Sequence, residues 1–190
     1  MKDWTGNAKS KNCNVRSANA EENDYYATEP RTVEMLLGLE SFNKNIWEPA
    51  CGEGHISRVL EEYGHTVVST DLIDRGFGKG GQDFLKNPYF TSFNGDIITN
   101  PPYRYATEFV RKALDIVEPG NKVAMFLKLT FLEGQKRRSL FRDFPPHTVY
   151  VSSARLRCGK GGIFKGQSMT AYAWYVWQKG YPRPNLYQMV

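Results

Sequence analysis

Short apolar segments alternate with amphipathic helical patterns from Ile46 to Arg142, and this alternation constrains the fold more than any other feature. Strands that alternate with helices pair in parallel, because each helical connection carries the chain back across the sheet. The last two predicted strands, Thr148–Leu156 and Thr170–Trp177, have no helix between them and can form an antiparallel edge. The pattern predicts an α/β fold built on a mostly parallel sheet.

Hydrophobic spacing and turn residues locate the individual elements. Helices are predicted at Pro30–Leu39, His55–Tyr63, Tyr105–Val117 and Gln135–Arg142. The earlier strands are predicted around Ile46–Trp47 and at Thr66–Thr70, Asp96–Thr99 and Lys122–Lys128. A length of 190 residues suits one domain with a sizeable core. We expect residues 1–24, which show no periodicity, to be a flexible N-terminal arm and residues 25–190 to form that domain.

The tetrapeptide Asn100-Pro101-Pro102-Tyr103 directly follows the predicted strand Asp96–Thr99. The amide oxygen of Asn100 can accept a hydrogen bond from a planar amino group, and the two prolines remove backbone donors. The carbonyl of Pro101 is then free to face a pocket, and Tyr103 offers a flat surface to a flat substrate. These residues predict a site that holds an exocyclic amine.

A glycine turn upstream predicts a second binding element. Gly52 and Gly54 follow the first predicted strand and allow the backbone to approach a ligand closely. Asp71 ends the next strand, about 20 residues after this turn, where an acidic side chain can bind ribose hydroxyls. Ligands of open α/β sheets bind beyond the carboxyl ends of the strands, and Asp83 and Asn100 also lie at or near such ends. The sequence therefore predicts one binding edge.

The chain resembles S-adenosylmethionine-dependent amino methyltransferases, most closely the DNA adenine-N6 class, and is similar to the small members found in phages and prophages. The resemblance covers roughly residues 24–178. It rests on ordered segments: Asp24-Tyr25-Tyr26-Ala27-Thr28-Glu29-Pro30, Glu48-Pro49-Ala50-Cys51-Gly52-Glu53-Gly54, Asp71, Asp83-Phe84-Leu85 and Asn100-Pro101-Pro102-Tyr103. The first departs from the family's Tyr-x-Thr-Pro element because Glu29 precedes the proline. The resemblance implies a Rossmann-like class I methyltransferase fold, with a seven-stranded, mostly parallel sheet and an antiparallel edge strand.

The resemblance also implies a cofactor, S-adenosylmethionine, and roles for individual residues. The implied catalytic residues are Asn100, Pro101, Pro102 and Tyr103, with the tyrosine stacking on a base flipped out of the duplex. The implied cofactor contacts are Tyr26, Thr28, Glu48, Pro49, Ala50, Cys51, Gly52, Gly54, Asp71, Leu72, Asp83 and Phe84. Among them, Asp71 is expected to bind the ribose, Asp83 and Phe84 the adenine, and Tyr26 and Thr28 the methionine end.

Composition narrows the function classes. No apolar run approaches the roughly 18 residues of a membrane span, and the first residues lack an apolar signal-peptide core. We therefore expect a cytoplasmic protein that does not contact the membrane. Three cysteines without C-x-x-C spacing predict neither a disulfide framework nor a zinc site, and we expect no metal. The net charge of +5 permits an anionic partner.

Basic side chains provide candidate contacts to DNA phosphates. They are Lys136, Arg137 and Arg138 on a predicted helix, and Lys160 and Lys165 in a glycine-rich loop. The short spacing between Asp83-Phe84 and Asn100 leaves no room for a separate target-recognition domain. The target sequence and the oligomeric state do not follow from the sequence.

Methylation of adenine N6 in DNA is the leading hypothesis. Asn-Pro-Pro-Tyr also occurs in glutamine-N5 protein methyltransferases and in some RNA adenine methyltransferases, so RNA adenine and a protein glutamine amide remain alternatives. Cytosine-N4 enzymes usually carry Ser-Pro-Pro-Tyr, which favours adenine here. A further alternative is a nucleic-acid-binding module without turnover, whose biological effect would survive the substitution Asn100→Ala.

Overall fold

The computed structural model describes residues 25–154, 156–159, 164 and 170–181. The predicted N-terminal arm, Lys160 and Lys165 lie outside the described residues. The helices are α1 (Pro30–Leu39), α2 (His55–Glu62), α3 (Ala106–Ile116) and α4 (Arg138–Asp143). The strands are β1 (Ala27–Thr28), β2 (Asn45–Glu48), β3 (Thr66–Ser69), β4 (Asp96–Thr99), β5 (Lys122–Lys128), β6 (Thr148–Val151), β7 (Cys158–Gly159) and β8 (Tyr172–Gln178).

The main sheet has the strand order β3-β2-β4-β5-β8-β6. Neighbours from β3 to β5 pair in parallel, whereas β8 pairs antiparallel with both β5 and β6. The predicted α/β class is confirmed, but the sheet has six strands in the described part of the chain, not seven. The antiparallel strand is also not at the edge, because β6 lies outside it. The sheet is therefore mixed, with three parallel and two antiparallel pairs.

The connection between β3 and β4 explains the smaller number of strands. Residues 70–95 form loops and turns with isolated bridges and add no strand to the sheet. Gly76, Gly78 and Gly81 have φ between +66° and +78° in this segment. Such left-handed backbone cannot continue an extended ladder.

Burial explains why β8 lies inside the sheet. Its residues Ala173–Trp177 form an unbroken buried run, which is typical of a strand covered on both faces. By contrast, β6 is partly exposed along its whole length and therefore suits an edge. The uninterrupted apolar run was a signal in the sequence for this central position.

Two apolar layers cover the sheet, because successive side chains of a strand point to opposite faces. Met125 of β5 and Tyr175 of β8 pack with α3 and α4 on one face. Phe126 and Trp174 pack with α1 and α2 on the other. The carboxyl ends of the parallel strands are left at one edge of this sandwich. Among the described residues, no helix combines the length and the apolar character that crossing a bilayer requires.

Candidate active site

A cavity of about 280 Å³ lies at the carboxyl ends of β2, β3 and β4. This volume is close to the lower end of the roughly 300–1,000 Å³ found for small-molecule sites. The predicted site residues that line it are Tyr26, Thr28, Glu48, Pro49, Ala50, Cys51, Asp71, Leu72, Asp83, Phe84, Asn100 and Pro102. The others, Gly52, Gly54, Pro101 and Tyr103, are not part of its lining. The fold thus brings segments that are distant in sequence to one cavity.

The side-chain amide of Asn100, directly after β4, is held through its nitrogen. Nδ2 donates to the carbonyl oxygen of Tyr26 at 2.7 Å and to Oγ1 of Thr28 at 3.0 Å. Because a carbonyl only accepts, the first contact determines which end of the amide is nitrogen. The oxygen Oδ1 is buried and has no hydrogen-bond partner among the described residues. Asn100 itself lines the cavity, and it therefore carries an acceptor without a partner, which is costly to bury.

Tyr103 is packed among other side chains in this conformation. Its ring centroid lies 6.0 Å from that of Tyr26 and 5.9 Å from that of Tyr172, and Nζ of Lys128 lies 4.9 Å from it. Its hydroxyl is 3.1 Å from Sγ of Cys158. Burial raises the pKa of Tyr103 well above its usual value, so the hydroxyl keeps its proton. Stacking on a base, which remains a prediction, requires this ring to turn toward the cavity.

A short antiparallel ladder between β1 and β7 brings Thr28 and Cys158 together as register partners. Sγ of Cys158 lies 3.7 Å from Nδ2 of Asn100. Burial raises the pKa of the Cys158 thiol to about 12, so the sulfur is a neutral thiol at physiological pH. No sequence pattern marks this ladder, because each of its strands has only two residues.

Asp71 ties the glycine turn to the end of β3. Its Oδ2 accepts a hydrogen bond from the N–H of Gly52 at 2.8 Å, and its Oδ1 accepts one from the N–H of Ile73 at 2.8 Å. Each carboxylate oxygen has a second lone pair. Asp71 can therefore hold the turn and still accept hydrogen bonds from the hydroxyls of a ligand.

The glycine turn packs against two aromatic rings. Gly52 and Gly54 have φ of +55° and +83°, the left-handed region that favours glycine. A Cβ at Gly52 would collide with the ring of Tyr25, and a Cβ at Gly54 would lie 2.6 Å from the ring of Phe77. The guanidinium of Arg75 lies 4.1 Å from the centroid of the Tyr25 ring. Both Tyr25 and Arg75 line the cavity, which the sequence did not predict.

Asp83 and Phe84 form another part of the cavity wall. Oδ1 of Asp83 accepts hydrogen bonds from the N–H groups of Leu85 at 3.0 Å and Lys86 at 3.1 Å. Phe84 is only 2% exposed and packs edge-on against Trp47, with ring centroids 5.3 Å apart. Phe84 therefore serves the core as well as the cavity, and Asp83 has a fixed orientation.

Glu48 is the last residue of β2 and is only 1% exposed. Its Oε2 accepts a hydrogen bond from the N–H of Ser57 at 2.8 Å and also contacts Oγ of Ser57. Burial raises the pKa of Glu48 well above its usual 4.5, because water no longer solvates the carboxylate. Glu48 therefore joins β2 to α2 and also provides a carboxyl that is easily protonated.

The raised pKa of Glu48 predicts a pH-dependent difference between the wild type and Glu48→Gln. Between the unfolded pKa and the raised folded pKa, the folded state binds more protons, so the free energy of unfolding falls as pH rises. Glutamine cannot ionise, so the variant should gain stability relative to wild type across this window. Urea unfolding at about pH 5 and about pH 8 measures the difference, and parallel pH dependences of the two proteins would contradict it.

The predicted DNA contacts differ in their surroundings. Lys136 and Arg138 are exposed; Lys136 lies in the short 3-10 turn Gln135–Arg137, and Arg138 is the first residue of α4. Arg137 is half-buried and donates to the carbonyl oxygens of Phe131 at 2.7 Å and Thr130 at 3.0 Å, so it braces the preceding turn. None of these three side chains lines the cavity.

Other residues that were not predicted also line the cavity, among them Lys86, Arg104 and Tyr105. Tyr105 is 47% exposed, which gives the cavity an accessible aromatic side chain. Arg104 and Tyr105 directly follow the Asn-Pro-Pro-Tyr segment in the chain, and this position was the feature of the sequence that could have predicted their place in the cavity. They place positive charge and aromatic surface next to Asn100 in sequence.

No protein-family model matches the chain, and no curated protein is similar to it in sequence. A structure described as a class I S-adenosylmethionine-dependent methyltransferase from Listeria monocytogenes is 13% identical, with a TM-score of 0.60 over 90% of this chain and 66% of that one. The modification subunit of a type I restriction enzyme from Vibrio vulnificus is 12% identical, with a TM-score of 0.60 over 84% of this chain and 46% of that one. A structure described as an RNA methyltransferase from Pyrococcus horikoshii is 13% identical, with a TM-score of 0.54 over 78% of this chain and 81% of that one. The chain therefore has the class I methyltransferase fold.

Proposed function

We propose that the protein transfers a methyl group from S-adenosylmethionine to the exocyclic N6 amine of adenine in DNA. The observation that carries this proposal concerns Asn100, whose side chain lines the cavity. Its Oδ1 is buried and has no hydrogen-bond partner among the described residues. An oxygen in this state can accept a hydrogen bond from an amino group without losing another partner. The same cavity contains the carboxylates of Asp71 and Asp83, which are acceptors suited to a nucleoside.

The residues of the cavity fit S-adenosylmethionine in their chemistry. The remaining lone pairs of Asp71 can accept hydrogen bonds from ribose hydroxyls. Asp83 can accept from the amino group of the cofactor's adenine, and Phe84 offers an apolar surface to its ring. Glu48 lines the cavity as well and can compensate the positive charge of the methionine ammonium when it ionises.

The chain contributes positioning and hydrogen-bond acceptors to the reaction. Bound S-adenosylmethionine supplies an electrophilic methyl group on a sulfonium, whose carbon–sulfur electron pair returns to sulfur as the amine lone pair forms the new bond. Oδ1 of Asn100 accepts a hydrogen bond from the amine and thereby favours a tetrahedral nitrogen, whose lone pair is no longer delocalised into the ring. Its hydrogen bond strengthens as positive charge develops on that nitrogen. The methylated amine then loses a proton to solvent water, and no strong base is required before attack.

Aromatic and basic side chains support a nucleic-acid acceptor. Tyr103 can stack on a flipped adenine once its ring turns, and Tyr105 offers exposed aromatic surface at the cavity. Lys86 and Arg104 add positive charge to the cavity lining. The net charge of +5 favours association with a polyanion. The fold is shared with the modification subunit of a type I restriction enzyme, which is in keeping with DNA as the substrate.

Mass spectrometry of nucleosides tests the proposal directly. The full chain is incubated with S-adenosylmethionine carrying a labelled methyl group and with unmethylated DNA, RNA or a glutamine-containing peptide. We expect the label in N6-methyl-2′-deoxyadenosine from the DNA sample. Label confined to RNA or to peptide would show that DNA is not the acceptor and would favour RNA adenine or a glutamine amide instead. Label on N4 of cytosine would show that adenine is not the methylated base.

A protein without turnover would leave all three acceptors unlabelled. In that case binding of S-adenosylmethionine, measured by calorimetry, separates a cofactor-binding module from a protein that does not use this cofactor. Increasing salt should weaken binding to DNA if phosphate contacts contribute, because neutralised phosphates release counterions.

A further inference from the structure

The orientation of the Asn100 amide decides what this residue can do. An asparagine side chain carries an acceptor at one end and two N–H donors at the other, and rotation by half a turn exchanges them. With the oxygen toward the amine, Asn100 accepts a hydrogen bond from it. With the nitrogen there, two donors would meet and the contact would be repulsive. The groups that bind Nδ2 therefore control the chemistry of the site.

Two acceptors hold the nitrogen end of Asn100. The carbonyl of Tyr26 and the hydroxyl of Thr28 accept hydrogen bonds from Nδ2 at 2.7 Å and 3.0 Å, and Sγ of Cys158 is a third, weaker acceptor at 3.7 Å. Thr28 is only 2% exposed, so water does not readily replace its hydroxyl. A rotated amide would place its oxygen against the Tyr26 carbonyl and leave these acceptors without donors.

The β1–β7 ladder keeps Thr28 in place. Thr28 pairs with Cys158, and the thiol of Cys158 lies 3.7 Å from Nδ2 of Asn100 and 3.1 Å from the hydroxyl of Tyr103. The ladder thus joins the segment before α1 to the segment before β8, and both lie next to Asn100 at the end of β4. Removal of the Thr28 hydroxyl should remove one hydrogen bond that holds the Asn100 amide. The ladder should remain, because its strands pair through backbone groups.

We infer that Thr28 is a positioning residue, which orients the Asn100 amide with its oxygen toward the acceptor amine. This inference rests on the proposed methyl transfer for its functional consequence, but the orientation itself does not. It differs from the expectation that Thr28 contacts the methionine end of the cofactor. The two roles predict different kinetic effects and can be separated.

The variant Thr28→Val keeps the shape of the side chain and removes its acceptor. Loss of one neutral hydrogen bond should lower kcat at saturating cofactor and DNA by about tenfold, because the Tyr26 carbonyl still holds the amide. The dissociation constant of S-adenosylmethionine should change by less than about twofold, since Thr28 acts through Asn100. Thr28→Ser retains a hydroxyl and should restore most of kcat.

The matched control is Thr32→Val. The Thr32 hydroxyl is also buried, but it lies in α1 and has no hydrogen-bond partner among the described residues. The same chemical change at this position should therefore leave kcat unaltered. A thermal melt of each variant verifies that the fold is intact.

A second readout does not depend on turnover. In protein without cofactor, the Asn100 side-chain amide signals, assigned by their loss in Asn100→Ala, should exchange slowly with solvent in the wild type. Exchange should be several-fold faster in Thr28→Val and near wild type in Thr28→Ser, because one amide hydrogen loses its acceptor.

The outcomes separate the inference from the proposed function. Unchanged kcat together with unchanged amide exchange in Thr28→Val overturns the positioning role while methyl transfer stands. Weaker cofactor binding with unchanged kcat overturns it in favour of a cofactor contact. If the wild type methylates no acceptor, the proposed function fails and the exchange rates alone decide the orientation.

Discussion

Asn100→Ala should lower kcat for methyl transfer by about a hundredfold to a thousandfold, with little change in the affinity for S-adenosylmethionine. The size follows from losses measured when a preorganised hydrogen-bonding group at a reacting centre is deleted. The physical reason is that the buried Oδ1 of Asn100, which has no partner among the described residues, is the acceptor proposed for the amine. Single-turnover transfer to DNA and calorimetric cofactor binding measure the two properties separately.

Asn43→Ala provides the matched control for this prediction. Asn43 is exposed and is not part of the cavity lining. In the described part of the chain its side chain makes one long contact, from Nδ2 to Oδ1 of Asn121 at 3.4 Å, and the hydrogen bonds of its backbone to Asp96 and His65 survive truncation. Its truncation should leave both properties unchanged. The Asn100 variant also leaves the acceptors of Tyr26 and Thr28 unpaired, so its free energy of unfolding should be measured alongside. Retention of most of the wild-type kcat would remove Asn100 from the mechanism.

Asp71→Ala should weaken the binding of S-adenosylmethionine by roughly tenfold to a hundredfold. Hydrogen bonds to a charged group contribute about 1.5–3 kcal/mol, and each 1.4 kcal/mol corresponds to a factor of ten. Two effects act together here, because the variant loses the proposed ribose acceptor and also releases the N–H groups of Gly52 and Ile73. At saturating cofactor, kcat should fall much less than in Asn100→Ala. Calorimetry and kinetics at high cofactor concentration test both statements.

Asp74→Ala separates the cofactor site from the loop around it. Asp74 is exposed in the same loop, and its Oδ1 accepts a hydrogen bond from the N–H of Gly76 at 2.9 Å. It does not line the cavity, so its removal should leave cofactor affinity near the wild-type value. Equal loss of cofactor binding and of kcat in the Asp71 and Asn100 variants would contradict the division of roles between the two residues.

Local patterns predicted the regular elements well where periodicity was strong. The helix Pro30–Leu39 and the strands Asp96–Thr99 and Lys122–Lys128 occur with the predicted bounds. The strand predicted at Thr148–Leu156 ends earlier, at Val151. Leu156 is buried outside any strand, so its apolar character reflected the core rather than the sheet.

Sheet order was harder to predict because it depends on competition for buried positions. The absence of a helix between the last two strands predicted antiparallel pairing, and that pairing occurs. Their order depends on burial of both faces of β8, which places it beside β5 and leaves β6 outside. The loop between β3 and β4, with its left-handed glycines, adds no seventh strand in the described part of the chain.

The sequence by itself determined the α/β class and located the short segments for which we propose chemical roles, including those that contain Asn100 and Asp71. These follow from local rules: hydrophobic period, turn residues and the position of polar groups after strands. Only the tertiary structure decided which way each side chain faces and what holds it. Thr28 and Cys158 meet Asn100 through a ladder between segments far apart in the chain, and Tyr103 is packed against Tyr26. Such contacts depend on long-range packing, which no local sequence pattern encodes.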